Sequence, residues 1–583
     1  MSLTEDESEE AEVAAPASPS WADRALSWLA GRPWATLSLL CLLLWTPGVL
    51  SLPALDRDES RFAQASRQML ESGNFVDIRF GHVPRYKKPV GIYWLQAATT
   101  AIAGLGDRSH IWTYRLPSLL GGLLAVLLTF WCARAFASPE VAWLSGALMG
   151  TSLLLTAEST IATTDAVQLA CVMGVMGVLF RLYLQAREPD RPPLSNRLLL
   201  AGWAALAAGI LIKGPVVPAV AIVTIIALVI WERDWAWLAA SRWQQGLPLA
   251  VLIVVPWLIA IAVASHGQFF QQSVGHDFAA KLEGGQESHG AWPGYYLLLL
   301  TISFWPAILF LAPGIAKAAF DRDQPAVRFL ICWAGVSWLM FEIVPTKLPH
   351  YILPAYPALA ILAASWALAP RDPAAPRWMP WLTWLAAFQF ALGLAALVAA
   401  PIIAPQLYGD GSNWWLIGFA SVGGVVGLAA LVIYLRRAVV AAFGIACISV
   451  LILYPVISAG VGPRLDRLWV SAREATLLKK DSRPGDPPPV LAGFTEPSAV
   501  FLNGTNTGLS DGAGAAEITV NEGGLAAVED HEREAFLAHL AEREADAEPV
   551  DELTGFNYSR GRKVHITIYR VDAMHDIAAP PPE

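Results

Sequence analysis

The sequence predicts an all-α polytopic membrane protein with a small α/β unit at its C-terminal end. Three observations predict it. Hydrophobic residues make up 55% of the 583 residues and charged ones 15%, a balance that soluble domains rarely carry. Apolar stretches long enough to cross a bilayer recur from residue 33 to about residue 461. Beyond residue 462 the chain turns polar, and short strand-like and helix-like runs alternate.

The elements follow in order. Residues 1–32 read as an acidic, disordered cytoplasmic tail: it opens MSLTEDESEEAE and stays rich in Ala, Ser and Pro to residue 20. That composition is not a cleavable signal, so the first span acts as an uncleaved anchor with Arg24 and Arg32 on its near side. Thirteen apolar segments are long enough to cross, near 33–52, 111–133, 140–157, 163–184, 197–213, 215–231, 247–265, 294–316, 325–344, 351–369, 378–400, 413–435 and 438–461. A fourteenth, GIYWLQAATTAIAGLG at 91–106, is short and carries Gln and three Thr.

Charge decides how that segment is placed. With it lying in the interface and the N-terminus in the cytoplasm, alternate connections hold Arg134, then Arg187, Arg191 and Arg197, then Arg233 and Arg242, then Lys317, Arg322 and Arg328, then Arg371 and Arg377, then Arg436 and Arg437. The opposite connections hold Lys213, Lys281 or Lys347 alone, or no cation, which is the positive-inside pattern. Counting 91–106 as a full crossing would invert everything after it. The first outer loop, 53–110, departs from the pattern with eight Lys or Arg, yet six Asp or Glu balance them, as in a folded polar element.

This topology puts the segment 462–583 outside, as a soluble periplasmic α/β domain following the membrane domain 33–461. VLAGF and AEITV read as short strands, DHEREAFLAHLAERE as an amphipathic helix, FNYSRGRKVHITIYRV as a hairpin turning at Arg-Gly, and DSRPGDPPP as a linker. The net charge of −9 sits largely in the two end segments, and no basic, aromatic-interleaved patch points to nucleic acid. The five cysteines, Cys41, Cys132, Cys171, Cys332 and Cys447, all fall in apolar spans at spacings that fit neither a metal site nor a disulfide framework.

Unusual polar residues gather on the outer face. The first outer loop brings Asp56, Asp58, Glu59, Arg61, Arg85, Tyr86, Lys87 and Lys88; the second Thr164 and Asp165; the third Lys213. The fourth, 266–293, brings His276, Asp277, Lys281, Glu287 and His289, and the fifth Lys347, His350 and Tyr351. Each alone has a plain structural reading: Lys213 as a snorkelling lysine, Asp165 as a helix N-cap, DRDES as the cap of the helix that follows. Together, five loops placing charge at one membrane surface point to function. Several cations around a pocket suit a phosphate, and a nearby carboxylate suits a general base or a partner that holds the cations in place. The set suits transfer from a phosphate-linked donor, whose lipid tail would explain so much membrane around it.

The stretches DESRFAQ (58–64), PRYKKPVGIYW (84–94), TTDAVQLA (163–170), LIKGP (211–215), KLPHYILPAYPALA (347–360) and, less specifically, GHDFAAKLEGGQESHG (275–290) resemble the bacterial aminoarabinose–lipid A transferases and the wider protein-O-mannosyltransferase-like superfamily of GT-C glycosyltransferases. TEPSAVF (495–501) looks like family usage as well. The resemblance implies a GT-C fold, a bacterial inner-membrane protein with its site and C-terminus in the periplasm, an undecaprenyl-phosphate-linked sugar donor, and inverting transfer to lipid A or a related envelope glycolipid. It implies Asp58 as the main catalytic carboxylate, with Asp165 beside it, and Arg61, Lys88, Lys213 and Lys281 around the donor phosphate. Asp56, Glu59, Tyr86, Lys87, His289, Lys347, His350 and Tyr351 are then pocket residues.

One position departs from the family. Aminoarabinose transferases usually have Glu-Lys-Pro where this chain has Lys87-Lys88-Pro89, so a carboxylate is missing where a metal would need one, and no divalent cation is implied with certainty. The added positive charge would also suit an anionic sugar such as a uronic acid. Three alternatives stand beside the main reading: a uronic acid or hexose donor with a protein or other polysaccharide-lipid acceptor, a lipid-linked sugar flippase, and an inactive scaffold that binds the polyprenyl carrier.

Overall fold

The computed structural model describes residues 20–273, 291–370 and 376–573. A short amphipathic helix, α1 (Trp21–Ala30), opens on a capping box in which Ser20 and Asp23 satisfy each other's backbone. There follow α2 (Pro33–Ser51), α3 (Asp58–Ser72), the small hairpin β1 (Arg79–Phe80) with β2 (Val83–Pro84), α4 (Gly91–Ala103), α5 (Ile111–Ala133), α6 (Pro139–Thr151), α7 (Leu153–Thr160), α8 (Asp165–Arg187), α9 (Asn196–Lys213), α10 (Val216–Glu232) and α11 (Trp243–Ala264). The second half of the bundle runs through Tyr295–Ser303, Ile308–Phe320, Pro325–Ile343, Tyr356–Ala367, Met379–Tyr408, Trp414–Leu435 and Val439–Pro455.

Each of the thirteen apolar segments therefore carries helix. Among the described residues nine are single helices long and apolar enough to cross a membrane. The others are short or broken. α10 has 17 residues, and Ile308–Phe320 has 13. α6 and α7 share one segment bent by 60°. The chain is a multi-pass membrane protein. The segment 91–106 forms the 13-residue helix α4, about 20 Å long at 1.5 Å per residue, against a hydrocarbon core of about 30 Å.

The α6–α7 break positions the site. Ser152 leaves the helix with extended backbone (ψ 134°), and its hydroxyl donates to the Met149 carbonyl at 2.8 Å. The Leu153 N–H, left without a partner in α6, donates to the Trp305 carbonyl at 3.1 Å. The Tyr454 hydroxyl lies 3.0 Å from the carbonyl oxygens of both Thr151 and Trp305. Irregular backbone at membrane depth is tolerated only when protein satisfies it in this way. Small residues let the neighbours close in: a Cβ on Gly121 would stand 2.7 Å from the Val167 Cα of α8, and one on Gly122 2.1 Å from the Ser159 hydroxyl of α7.

Beyond the membrane helices lies a five-stranded sheet of order β4-β3-β5-β7-β6, built from β3 (Val490–Ala492), β4 (Gly508–Ser510), β5 (Gly524–Glu529), β6 (Ala547–Asn557) and β7 (Arg562–Val571). β3 pairs parallel with β4 and β5, while β7 pairs antiparallel with β5 and β6. The strand at VLAGF, the helix at Asp530–Glu542 and the hairpin at FNYSRGRKVHITIYRV all form. AEITV does not form a strand. It lies inside the helix Gly512–Glu522, where Asp511 caps the N-terminus by accepting from the Gly514 N–H and Gly523 ends the helix at φ 73°. The neighbouring strand is the apolar run GLAAVE instead, buried at every position.

Candidate active site

The site forms where α3, the α7–α8 junction, the C-terminal end of α9 and the 3-10 turn Pro349–Ala355 meet. α8 begins at Asp165, whose carboxylate stands in the first turn, where the helix dipole favours negative charge. α9 ends at Lys213 because Gly214 takes φ 68°, and the Lys213 ammonium sits 2.5 Å from Asp165 Oδ1. Both side chains are buried, so each supplies the other's counter-charge. Lys213 Nζ also lies 5.7 Å from the Tyr351 ring centroid. His350 places Nδ1 3.6 Å from Glu158 Oε1 and Nε2 3.9 Å from Asp165 Oδ1, bridging the two carboxylates. Thr163 donates to Glu158 Oε2 at 2.9 Å.

Asp58 stands at the N-terminal end of α3 with its side chain 62% exposed, 3.9 Å from Arg61 Nη1. Lys88 and Asp58 both lie within electrostatic reach of His350. The structure thus brings Asp58, Arg61, Lys88, Asp165, Lys213, His350 and Tyr351 to one region. Lys281 and His289, with the rest of the loop 274–290, lie outside the described residues.

The remaining sequence-derived residues have other partners. Glu59 is buried in α3 and takes a bidentate pair from Arg115, Nε to Oε1 and Nη2 to Oε2, both at 2.8 Å. It also accepts from the Ala162 N–H at 2.7 Å and the Leu55 N–H at 2.9 Å. Arg115 completes its fork on the carbonyls of Val49, Leu52 and Pro53, at 2.7 to 3.0 Å. This knot ties α2, α3, α5 and the α7–α8 junction together. Tyr86 donates to Asp77 Oδ1 at 2.7 Å and packs its ring on Phe269, so it braces the first loop. Lys87 is exposed. Lys347 is buried and donates to the Glu342 and Val344 carbonyls at 2.5 and 3.2 Å, closing the end of the helix Pro325–Ile343.

Asp56 faces the C-terminal unit. Its N–H donates to the Tyr558 hydroxyl at 2.7 Å, and Ser498 and Ser471 donate to its Oδ1. Burial, then the neighbouring Glu496 carboxylate, push the Asp56 carboxyl up to about 7. Arg57, between Asp56 and Asp58, takes φ 62° and ψ −113°, a conformation suited to glycine that costs a side-chain-bearing residue roughly 1–3 kcal/mol. Its guanidinium donates to the Ser559 carbonyl.

One member of the site, Glu158, and one brace beside it, Arg115, escape a reading by loops. Arg115 lies within the apolar segment 111–133 and Glu158 one residue past the segment 140–157, and the signal that finds them is a charge at membrane depth. Glu158, Asp165 and His350 each offer a metal-ligand atom within 4.8 Å of the others. Lys213 is the counter-charge of Asp165, and His350 stands between the two carboxylates, beyond hydrogen-bonding distance of either.

An open cleft of about 900 Å³ lies nearer the other end of α3, lined by Arg67, Glu71, Asp77 and Arg79 among others. Arg67 pairs with Glu71 and Arg79 with Asp77, each at 2.7 Å, so the charge convergence lies elsewhere.

Comparison with known proteins gives the same direction. Residues 37–267 match the family described as dolichyl-phosphate-mannose-protein mannosyltransferase. A protein of Erwinia tasmaniensis named undecaprenyl phosphate-alpha-4-amino-4-deoxy-L-arabinose arabinosyl transferase is 29% identical over 309 residues, covering 53% of this chain and 54% of that protein. One of the same name from Pectobacterium carotovorum is 27% identical over 390 residues, covering 66% and 65%. The chain thus spans about half the length of the first of these curated relatives. The crystal structure of ArnT from Cupriavidus metallidurans bound to undecaprenyl phosphate superposes with TM-score 0.72 at 20% identity, covering 93% of this chain and 98% of that one. Its apo form gives TM-score 0.72 at 21% identity, covering 96% and 100%. The likeness to these structures shows the fold, a GT-C membrane fold, and the matched segment and the relatives agree with the resemblance read from the sequence.

Proposed function

We propose that the chain is an integral-membrane inverting glycosyltransferase of the bacterial inner membrane. It moves a sugar from an undecaprenyl-phosphate donor to lipid A or a related envelope glycolipid on the periplasmic side. The observation that carries this reading is the convergence of Asp58, Arg61 and Lys88 of the first loop on the buried Asp165–Lys213 pair. The curated relatives are named for an undecaprenyl-phosphate-linked aminopentose, which supports the donor class. The positive-inside pattern supports a periplasmic site and C-terminal unit.

In this mechanism the acceptor oxygen attacks the anomeric carbon as the bond from that carbon to the phosphate oxygen breaks. The electron pair leaves with undecaprenyl phosphate. Lys88 and Arg61 stabilise the charge developing on the phosphate, and Lys281 of the fourth outer loop joins them. Lys213, held by Asp165, forms the pocket floor as a paired ammonium and carries no unpaired buried charge. A hydroxyl acceptor passes its proton to Asp58. A lipid A phosphate is already anionic, and Asp58 then orients Arg61 and the acceptor.

Mass spectrometry of lipid A from cells with the gene, without it and with Asp58→Asn tests the reading. A sugar adduct lost in both altered strains supports it, and the mass separates an aminopentose from a uronic acid. Identical lipid A in all three overturns the lipid A acceptor. A second reading, a protein acceptor, is favoured by the description of the family matched at 37–267. Its sign is a glycosylated envelope protein that disappears in the same two strains.

A further inference from the structure

The role of the C-terminal unit follows from what holds the two residues before Asp58. Asp56 is fixed at its backbone N–H by the Tyr558 hydroxyl (2.7 Å) and at its carboxylate by Ser498 and Ser471. Arg57 is fixed through its guanidinium by the Ser559 carbonyl. Tyr558 and Ser559 lie in the turn between β6 and β7, and Ser498 on the helix Pro497–Asn503. That helix also rides on α3 and on the start of α5: the Phe501 carbonyl accepts from Arg67 Nη1 of α3 at 3.0 Å, and its ring packs on Tyr114 of α5 at 5.5 Å. Gln64 donates to the Thr505 hydroxyl at 2.7 Å, and Thr505 donates to Glu71 at 2.6 Å. The C-terminal unit therefore grips α3 along its length and holds the turn that launches it.

Asp58 itself, 62% exposed at the side chain, takes no part in these contacts. Its backbone follows a residue at φ 62°, a conformation that an arginine keeps only when its surroundings over-determine it. The surroundings in question are Ser559 on the guanidinium and Tyr558 on the preceding amide. We propose that the β6–β7 turn, Tyr558 and Ser559, with Ser498, is a positioning element that aims Asp58 into the pocket across the joint between the C-terminal unit and the first outer loop. This rests on the transferase reading for its functional consequence, and on the contacts alone for its structural one. Tyr558, Ser559 and Arg57 are positioning residues. They hold the direction of a carboxylate and touch no substrate in this assignment.

The test uses the full-length protein in detergent, comparing wild type with Tyr558→Phe, Arg57→Ala and Arg57→Lys. Three readouts are taken: hydrogen exchange of peptides covering residues 55–62, affinity for undecaprenyl phosphate, and kcat and KM for sugar transfer from undecaprenyl phosphate-4-amino-4-deoxy-L-arabinose to lipid A. The expected result is faster exchange at 55–62 in Tyr558→Phe and Arg57→Ala, with α5 unchanged. Their kcat falls by about ten-fold or more, as for a misplaced catalytic group. Undecaprenyl phosphate affinity falls less than kcat, because Arg61 lies in the loosened segment but Lys88 and Lys213 lie outside it. Arg57→Lys, which can still donate to the Ser559 carbonyl, recovers much of the loss.

Unchanged exchange at 55–62 in both variants overturns the proposal whatever the chemistry. So does faster exchange with wild-type kcat, or an equal loss of kcat and of donor affinity. A wild-type protein that neither binds undecaprenyl phosphate nor transfers the sugar overturns the transferase reading instead, and the exchange data still decide whether the turn holds the Asp58 segment.

Discussion

Lys213 Nζ sits 2.5 Å from Asp165 Oδ1, at the point where α9 ends and α8 begins, with both side chains shut away from solvent. Glu158 stands on the far side of His350 from this pair, so the buried group holds two carboxylates, one ammonium and one imidazole. Lys213→Met leaves two carboxylates without their cation. Removing one partner of a buried pair costs about 3–5 kcal/mol, so this variant should lose both thermal stability in detergent and transfer activity. Lys213→Arg should keep the charge and lose less. Melting by tryptophan fluorescence, with lipid A mass spectrometry alongside, checks both.

Asp58→Asn should behave differently. Its side chain is largely exposed, so the melting temperature should stay close to wild type, within the roughly 0.5 kcal/mol typical of surface changes. Transfer should fall by about 10²–10⁴ if Asp58 accepts a proton in the reaction. A single-turnover assay with a purified lipid-linked donor separates this from a binding defect.

The Glu59–Arg115 pair should be structural. Arg115→Met strands Glu59 and unties the carbonyls of Val49, Leu52 and Pro53, at a cost of several kcal/mol. The double variant Glu59→Gln with Arg115→Met should be more stable than Arg115→Met alone, because no unpaired buried charge remains. Size-exclusion profiles after a heat step would show the order.

Docking of the C-terminal unit should depend on pH. Burial and Glu496 raise the Asp56 carboxyl from 3.8 to about 7, opposed by Ser471, Tyr558 and Arg57. Glu474, wholly buried in the helix Val470–Asp481 and close to Asp56 and Glu529, is pushed up as well, chiefly by burial. A raised carboxyl means that the docked state holds the proton more tightly than the undocked or unfolded one. Its contribution is fully present below about pH 4 and is lost as the pH rises through 7. Hydrogen exchange of residues 55–62 should therefore be slower, after correction for intrinsic rates, at pH 5.5 than at pH 8. Asp56→Asn should flatten the difference.

Much of this architecture was open to reading from sequence, for physical reasons that differ by element. The helical spans are legible because bilayer thickness is a one-dimensional constraint, and each apolar segment carries helix. The segment 91–106 reads as interfacial from its length and the loop charges, and it forms a helix of 13 residues. Lys213 and Asp165 were legible as charges at span ends. Glu59 reads as a pocket residue because a loop carboxylate looks alike whether it faces substrate or a buried arginine. Its partner lies 56 residues on, and only the fold brings them together. Lys347 was misleading for a similar reason, since two carbonyls at a helix end take up its charge. AEITV has strand-forming residues, but the cap at Asp511 and the glycine at 523 set a helix around them. Tyr558 and Ser559 could not be connected to Asp56 and Arg57 at all, since about 500 residues separate the two pairs.

The break at Ser152 bears on how the protein is made. An eight-residue helix such as α7 is too short to settle in a bilayer by itself, and its first N–H is met by the Trp305 carbonyl. The carbonyls of Thr151 and Trp305 are met in turn by Tyr454, in the thirteenth apolar segment. Synthesis from the N-terminus therefore delivers Glu158 to the membrane long before the chain can finish its seat. Until residue 454 has emerged and inserted, the half-built span must be sheltered by the insertion machinery or by water, and a nascent chain arrested before that residue is the species on which quality control would act.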